Sequence, residues 1–290
     1  VGGFSTDLYL MALLILLFGV FAGSLGAMLG LGGGVLMIIF LLLALDLPAH
    51  QAVALSLIAV IASSSMAGSV YIKDKMTNLR LAMVLEAFTV TGAVAGAYLA
   101  IGMPVWVIQA LLGCVLFYTS ITMFRERKVD SADSETMPRE GAGGRGSVLD
   151  GSFYDEQSSA TVSYGVKNLK LGSVTSFIAG AVSGMVGIGG GVIKVPVMNL
   201  VMKIPIKAAA ATSNFMVGVT AAASAVIYFE SGLVDLKLAA PTIMGIMIGA
   251  YIGTRLLAKS RSAVVRKVLA VVLSFFGAVL ILKAGGILAW

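Results

Sequence analysis

Apolar residues fill this chain in blocks too long for strands and too continuous for helices that lie half in water. Residues 8–45 carry no charge at all. A straight membrane-crossing helix needs only about 20 apolar residues, so this block must hold more than one rod. Residues 51–72 form a second uncharged block, 81–100 a third broken only by Glu86, and 105–124 a fourth. After a long polar interval the blocks resume at 171–202, 208–229, 238–257 and 268–282. Asp46-Leu47-Pro48-Ala49-His50, the basic residues 73–80, and Gly102-Met103-Pro104 read as the intervening turns. The pattern predicts an all-α polytopic membrane protein.

The first block is divided by Gly30-Leu31-Gly32-Gly33-Gly34-Val35, and the chain writes this stretch again as Gly187-Ile188-Gly189-Gly190-Gly191-Val192, 157 residues later. Glycine costs a helix interior about 1 kcal/mol against alanine. Broken backbone survives at membrane depth only inside protein or along a cavity. One such break would read as a tight turn between packed helices; two at a fixed spacing favour a binding site. The same shift aligns Pro48 with Pro205, Ala54 with Ala211, Ser56 with Ser213 and Tyr71 with Tyr228. It also aligns residues 78–81 with 235–238, and Gly92 and Gly96 with Gly249 and Gly253. Register held without a gap over such a length marks an internal duplication.

Composition agrees with the pattern. Of 290 residues 59% are hydrophobic and 12% charged, against about 25% charged in soluble domains. The net charge of +6 comes from lysines and arginines lying between spans, where they set topology, so no nucleic-acid partner is expected. One cysteine, Cys114, and one histidine, His50, exclude a disulfide and a metal centre, and no cofactor is expected. No basic stretch precedes the first apolar block, so no cleavable signal is expected there. Residues 125–168, rich in Ser, Gly, Asp and Glu, read as a flexible linker. Gly141-Ala142-Gly143-Gly144-Arg145-Gly146 within it lacks the ending of a phosphate-binding loop.

Basic residues decide the orientation. Place 73–80 and the linker in the cytoplasm. If each glycine-broken segment returns to its own side as a hairpin, all twenty lysines and arginines lie at that face except Lys194, Lys237 and Lys283. Single crossings would instead put Lys259, Arg261, Arg266 and Lys267 outside. The expected plan is therefore two inverted repeats, each a glycine-broken helical hairpin followed by three transmembrane helices. Residues 1–124 are the first repeat, 125–168 the cytoplasmic linker and 169–290 the second repeat. Inverted repeats with broken helices are a recurring transporter plan.

The candidate chemistry gathers at the breaks. Half-helices beginning at Gly34 and Gly191 would turn free N–H groups and a partial positive charge toward an anion, with Gly32, Gly33, Gly189 and Gly190 letting it approach the backbone. Ser56, Thr212, Ser213 and Asn214 add donors in the following spans, or else bond neighbouring helices. Lys194 stands in the first turn after Gly191, where the first repeat has Met37. It reads as a ligand contact or as a side chain reaching for the cytoplasmic face. Glu86 reads as a surface partner of Arg80, and alternatively as a proton carrier coupling transport. No catalytic constellation is present, so no enzyme is expected.

Together the doubled Gly-x-Gly-Gly-Gly-Val, the following proline, Ala52–Ser56 and Ala211-Thr212-Ser213, the tyrosine before a charged loop, and the closing Gly92–Gly96 and Gly249–Gly253 pairs carry a resemblance. The chain resembles the sulfite exporter TauE/SafE family across both repeats. That resemblance implies a multi-pass protein of a bacterial-type inner membrane, exporting sulfite or an organosulfonate such as sulfoacetate. The first repeat departs from the family's Thr-Ser with Leu55-Ser56. The expected function is secondary transport of a small sulfur-containing anion by alternating access. The alternatives are a non-transporting membrane scaffold and a transporter of an unrelated small anion. The expected partners are the anion and the lipid bilayer, with homo-oligomerisation left open.

Overall fold

The computed structural model describes residues 2–29, 32–73, 75–129, 149–155, 160–257 and 262–285. Gly30, most of the linker and residues 258–261 lie outside the described residues. The first half holds α1 (Gly2–Leu29), α2 (Gly34–Leu43), α3 (Ala49–Lys73), α4 (Leu79–Ile101) and α5 (Val105–Val129). The second holds α6 (Leu169–Val186), α7 (Gly191–Pro196), α8 (Ile206–Glu230), α9 (Leu236–Leu257) and α10 (Ser262–Ala284). Among the described residues seven helices are long and apolar enough to cross a membrane. The chain is an all-α polytopic membrane protein.

α2 and α7 are short because glycines open them and turns close them. α2 has 10 residues, about 15 Å at 1.5 Å per residue. α7 ends at Pro196, whose ring and missing N–H spoil the regular ladder, and the chain continues as a π-turn, Val197–Val201. Gly189 and Gly190 sit at φ +74° and +73°, a region glycine enters without steric cost.

The halves pack by exchanging faces. α1 lies along α9, and α4 along α6. A Cβ on Gly92 would run into the carbonyl oxygen of Phe177, and one on Gly249 into that of Val20; Gly96 abuts Ala181 as Gly253 abuts Ser24. Each of these contacts becomes the other when 157 is added to one partner and subtracted from the other. Tyr71 donates to the Ala27 carbonyl at 3.3 Å, and Tyr228 to the Gly184 carbonyl at 3.1 Å, again the same contact twice. Reciprocal contacts of this kind are the mark of a two-fold relation. Small residues at these crossings bring backbones together where no hydrophobic force between helices operates.

α5 and α10 cross antiparallel. Gly113 meets Gly277 and Ile281, while Ser120 donates to the Ala270 carbonyl at 2.7 Å. At one end of the bundle Lys283 lies 3.7 Å from Asp46. At the other the 73–80 turn meets the end of the linker, where the Asn78 amide donates to the Leu149 carbonyl at 2.9 Å.

Here the expected flexible linker needs correction. α5 runs on to Val129, and β1 (Gly151–Asp155) pairs antiparallel with β2 (Ala160–Tyr164) within this segment. Phe153 faces Val162 and Gly151 faces Tyr164, while Ser152–Ser163 and Tyr154–Thr161 form the other face. That is the alternation of a half-buried strand pair. Phe153 and Tyr164 join Leu81, Leu85, Met198, Ile204 and Met216 in one apolar cluster. A lone hairpin is marginal in water; this one borrows its core from α4, α8 and the π-turn.

Candidate functional site

Both glycine breaks arrive at one place. Gly32 and Gly189 each face Val60 of α3 and Val217 of α8, and Gly34 faces the Ser56 and Gly187 carbonyls. The Gly33 amide donates to Ser63 Oγ at 3.0 Å, which satisfies one of the amides a helix start leaves open. Gly190 packs against Ser183 and the Ala179 carbonyl, and α7 begins at Gly191.

Ser56 and Ser213, expected as equivalents, differ. Ser56 Oγ reaches the Val53 carbonyl at 2.8 Å and the Gly187 carbonyl at 2.9 Å, so it ties α3 to the opposite break. Ser213 Oγ is buried with no hydrogen-bond partner among the described residues. The repeat counterpart of Ser56's acceptor is Gly30, outside those residues. Asn214 is 1% exposed, and neither its Nδ2 nor its Oδ1 is paired; Ser183 Oγ is likewise unpaired. Thr212 lies elsewhere: its Oγ1 accepts the Asn78 amide at 3.0 Å, beside the linker hairpin. On α8 the spacing of Ser213, Val217, Thr220 and Ser224 places them on one face.

The second feature is a charged cluster. Lys194 is 2% exposed and Glu86 7%. Lys194 Nζ donates to Thr220 Oγ1 at 2.8 Å and stands 3.7 Å from Glu86 Oε2. Thr220 Oγ1 in turn lies 2.7 Å from Glu86 Oε1, and Thr89 Oγ1 donates to Glu86 Oε2 at 2.9 Å. Two expectations are corrected here. Glu86 is no surface partner of Arg80, because α4 turns it inward against α8. Lys194 does not reach for an aqueous face, because a carboxylate from the other half holds it in the core.

Thr220 and Thr89 were not among the residues expected at the site. Thr220 had a signal: it is the repeat counterpart of Ser63, the side chain that meets the first break. Thr89 follows Glu86 by three positions, the spacing of neighbours on a helix face. The counterparts of Lys194, Glu86 and Thr89 are Met37, Ile243 and Ile246. The two-fold packing therefore surrounds a cluster that is charged on one side only.

Comparison with known proteins adds a family to this geometry. A model of the sulfite exporter TauE/SafE proteins matches residues 15–280. The chain belongs to that family. It is 24% identical over 276 residues to the probable membrane transporter protein YunE of Bacillus subtilis (strain 168), covering 92% of this chain and 96% of that protein. It is 23% identical over 247 residues to the probable membrane transporter protein YdhB of the same organism, covering 85% and 89%. No solved structure matches the chain. Membership and these relatives assign the chain to membrane transport.

Proposed function

We propose that the chain is a secondary transporter that carries a small sulfur-containing anion, sulfite or an organosulfonate such as sulfoacetate, outward across the inner membrane. The observation that carries this reading is the meeting of both breaks at Val60 and Val217, one turn of α8 from Ser213 and Asn214, whose side chains have no hydrogen-bond partner among the described residues. Donors buried without acceptors each cost about 1–3 kcal/mol. An anion arriving between the half-helices would supply the acceptors, and Lys194 the nearest positive charge.

Alternating access fits the exchange of faces. The antiparallel run of α5 and α10 supports a two-fold across the bundle, and hence halves that are inverted copies. In this reading α1 with α2, and α6 with α7, are hairpins entering from opposite sides, and their breaks meet at Val60 and Val217. Rocking of one half against the other would open the meeting point to either side in turn. With the linker in the cytoplasm, the basic residues fall where the positive-inside rule puts them.

The test is binding and flux by purified protein. Sulfite, sulfoacetate, sulfate and a simple carboxylate are offered to the parent, to Ser213→Ala and to Asn214→Leu. The parent should bind and move the sulfur anions. Both variants should weaken binding by about 1–2 kcal/mol or more while keeping or raising the melting temperature of the ligand-free protein, because each removes an orphaned polar group. Lower stability with unchanged binding would return both residues to helix packing. A parent that binds and moves no anion on the panel would defeat the proposal.

A further inference from the structure

The charged cluster raises a question that the anion site alone leaves open. As it stands, Lys194 and Glu86 cancel. An anion added beside them would bring an uncompensated negative charge into the bundle core, and burying an unpaired charge is among the costliest steps in protein energetics. The geometry offers a way to keep the site neutral. An ammonium has three N–H donors, yet Lys194 makes one close hydrogen bond, to Thr220 at 2.8 Å. Its separation of 3.7 Å from Glu86 is a charge contact and not a hydrogen bond. Glu86 by contrast is well held, with Thr220 on one oxygen and Thr89 on the other. The carboxylate has a hydroxyl on each oxygen, whereas the ammonium has further N–H donors without a close hydrogen-bond acceptor among the described residues.

The two residues come from different halves, Glu86 on α4 and Lys194 on α7, so any rocking of the halves moves one against the other. Lys194 follows Gly191 by three residues. Thr220 shares a face of α8 with Ser213, two turns away and about 10 Å along the axis, with Val217 between them. The cluster thus borders the meeting point of the breaks.

We propose that Glu86 is a proton-binding site coupled to the anion site: a proton taken up by Glu86 releases Lys194 to become the counter-ion of the transported anion, so that one proton accompanies each anion. This rests on the anion-transport reading. In the step, hydronium from bulk solvent gives its proton to a Glu86 carboxylate oxygen, an O–H bond forms there, and water is returned. No other bond changes. The site passes from an internal Lys–Glu pair to a Lys–anion pair beside a neutral acid, and for a singly charged anion such as methanesulfonate its net charge is unchanged.

The other titratable groups near Glu86, among the described residues, sit at a remove. Lys194 is the charge facing it from α7. On α6 the titratable side chain is Lys170, exposed at the helix start. On α8 Lys207 lies at the first turn, Glu230 is exposed at the last, and Tyr228 is turned to the Gly184 carbonyl. Tyr164 of the hairpin joins the cluster around Leu81 and Leu85, and Arg80 precedes Leu81 on α4 itself.

Calorimetry on the detergent-purified full chain tests this, with methanesulfonate and sulfoacetate as probes, because a sulfonate stays anionic over the working range. Binding heats are measured in buffers of different ionisation enthalpy, between about pH 6 and about pH 8, which gives the protons taken up per anion. The parent should take up about one proton per sulfonate at the upper pH, and its affinity should rise by up to about tenfold per pH unit as pH falls. Glu86→Gln, which keeps the shape and cannot exchange the proton, should take up none, with an affinity that no longer follows pH. Proteoliposomes loaded with a pH-sensitive dye report the same coupling in the parent during sulfonate flux, whether or not the variant folds. A parent that moves sulfonate without moving protons overturns this inference and leaves anion transport standing. A parent that neither binds nor moves any anion overturns both. Proton uptake persisting in a folded Glu86→Gln protein would also overturn it.

Discussion

Replacing Lys194 by methionine, the residue at the matching place in the first repeat, isolates what the buried pair does for the fold. The change leaves Glu86 with the hydroxyls of Thr220 and Thr89 but without its counter-charge. Removing one partner of a buried ion pair costs about 3–5 kcal/mol. Glu86→Ile, copying Ile243, should cost as much by stranding Lys194. Independent effects would add to roughly 6–10 kcal/mol in the double variant. The structure gives a reason to expect otherwise. Without Glu86, Thr89 Oγ1 keeps the Leu85 carbonyl at 3.3 Å and Thr220 Oγ1 keeps the Met216 carbonyl at 2.9 Å, so neither hydroxyl is orphaned. The double variant should therefore lie within about 2 kcal/mol of the parent, since apolar replacements of buried ion pairs are often neutral or stabilising. Its anion binding should nonetheless be lost. Reversible unfolding in mixed micelles with a rising fraction of sodium dodecyl sulfate, followed by circular dichroism, provides the four stabilities. Lys194→Met within about 1 kcal/mol of the parent, or a double variant as unstable as the sum of the singles, would refute the reasoning.

Gly92→Ala and its repeat counterpart Gly249→Ala should each destabilise by about 1–3 kcal/mol in the same assay, because the new Cβ meets the carbonyls of Phe177 and Val20. Similar losses at the two positions would follow from their reciprocal packing. Tyr164 has its phenol raised above the ordinary 10.0 by burial, with the Asn78 hydrogen bond pulling the other way. A raised phenol makes docking of the hairpin complete below that value and progressively lost as pH rises through it. Proteolytic nicking of the hairpin should therefore increase above about pH 10 in the parent and keep a flat profile in Tyr164→Phe. Finally, after Cys114 is replaced, a cysteine at Ser152 should resist impermeant reagents applied to intact cells and one at Ser231 should react. The reverse pattern would invert the assigned orientation.

What repeats in this chain was legible, because a duplication announces each contact twice. Tyr71 and Tyr228, or Gly92 and Gly249, appear in sequence as pairs at one spacing, and the structure uses each pair for one kind of contact. What occurs once was not legible. Glu86 and Lys194 belong to different halves, and the repeat register sets them opposite Ile243 and Met37, so nothing in either alignment pairs one with the other. Arg80, close by on the chain, was the more obvious partner. The hairpin escaped for a related reason. Phe153, Val162 and Tyr164 are too few to make a core, and their neighbours are polar; the surface that stabilises them is supplied by Leu81, Met198 and Met216 of the membrane helices. Ser56 and Ser213 look alike in sequence, and only the geometry separates a satisfied hydroxyl from an orphaned one.

The exchange of faces between halves also bears on how such a chain can be made and how it can have arisen. α1 leaves the ribosome well before α9, the helix that covers its glycine face. Until Ile246 and Ala250 arrive, Gly23 has only lipid against it, so the first half waits in the bilayer as an unfinished surface. A shorter ancestral chain with one repeat would never have been completed by its own sequence. It could close the same faces only against a second copy inserted upside down, its α4 covering the α1 of the other. If the halves are inverted as proposed, joining two copies by a linker would fix their opposite orientations at synthesis. It also lets each copy change alone, and that freedom is what allowed a lysine in one and a glutamate in the other to meet.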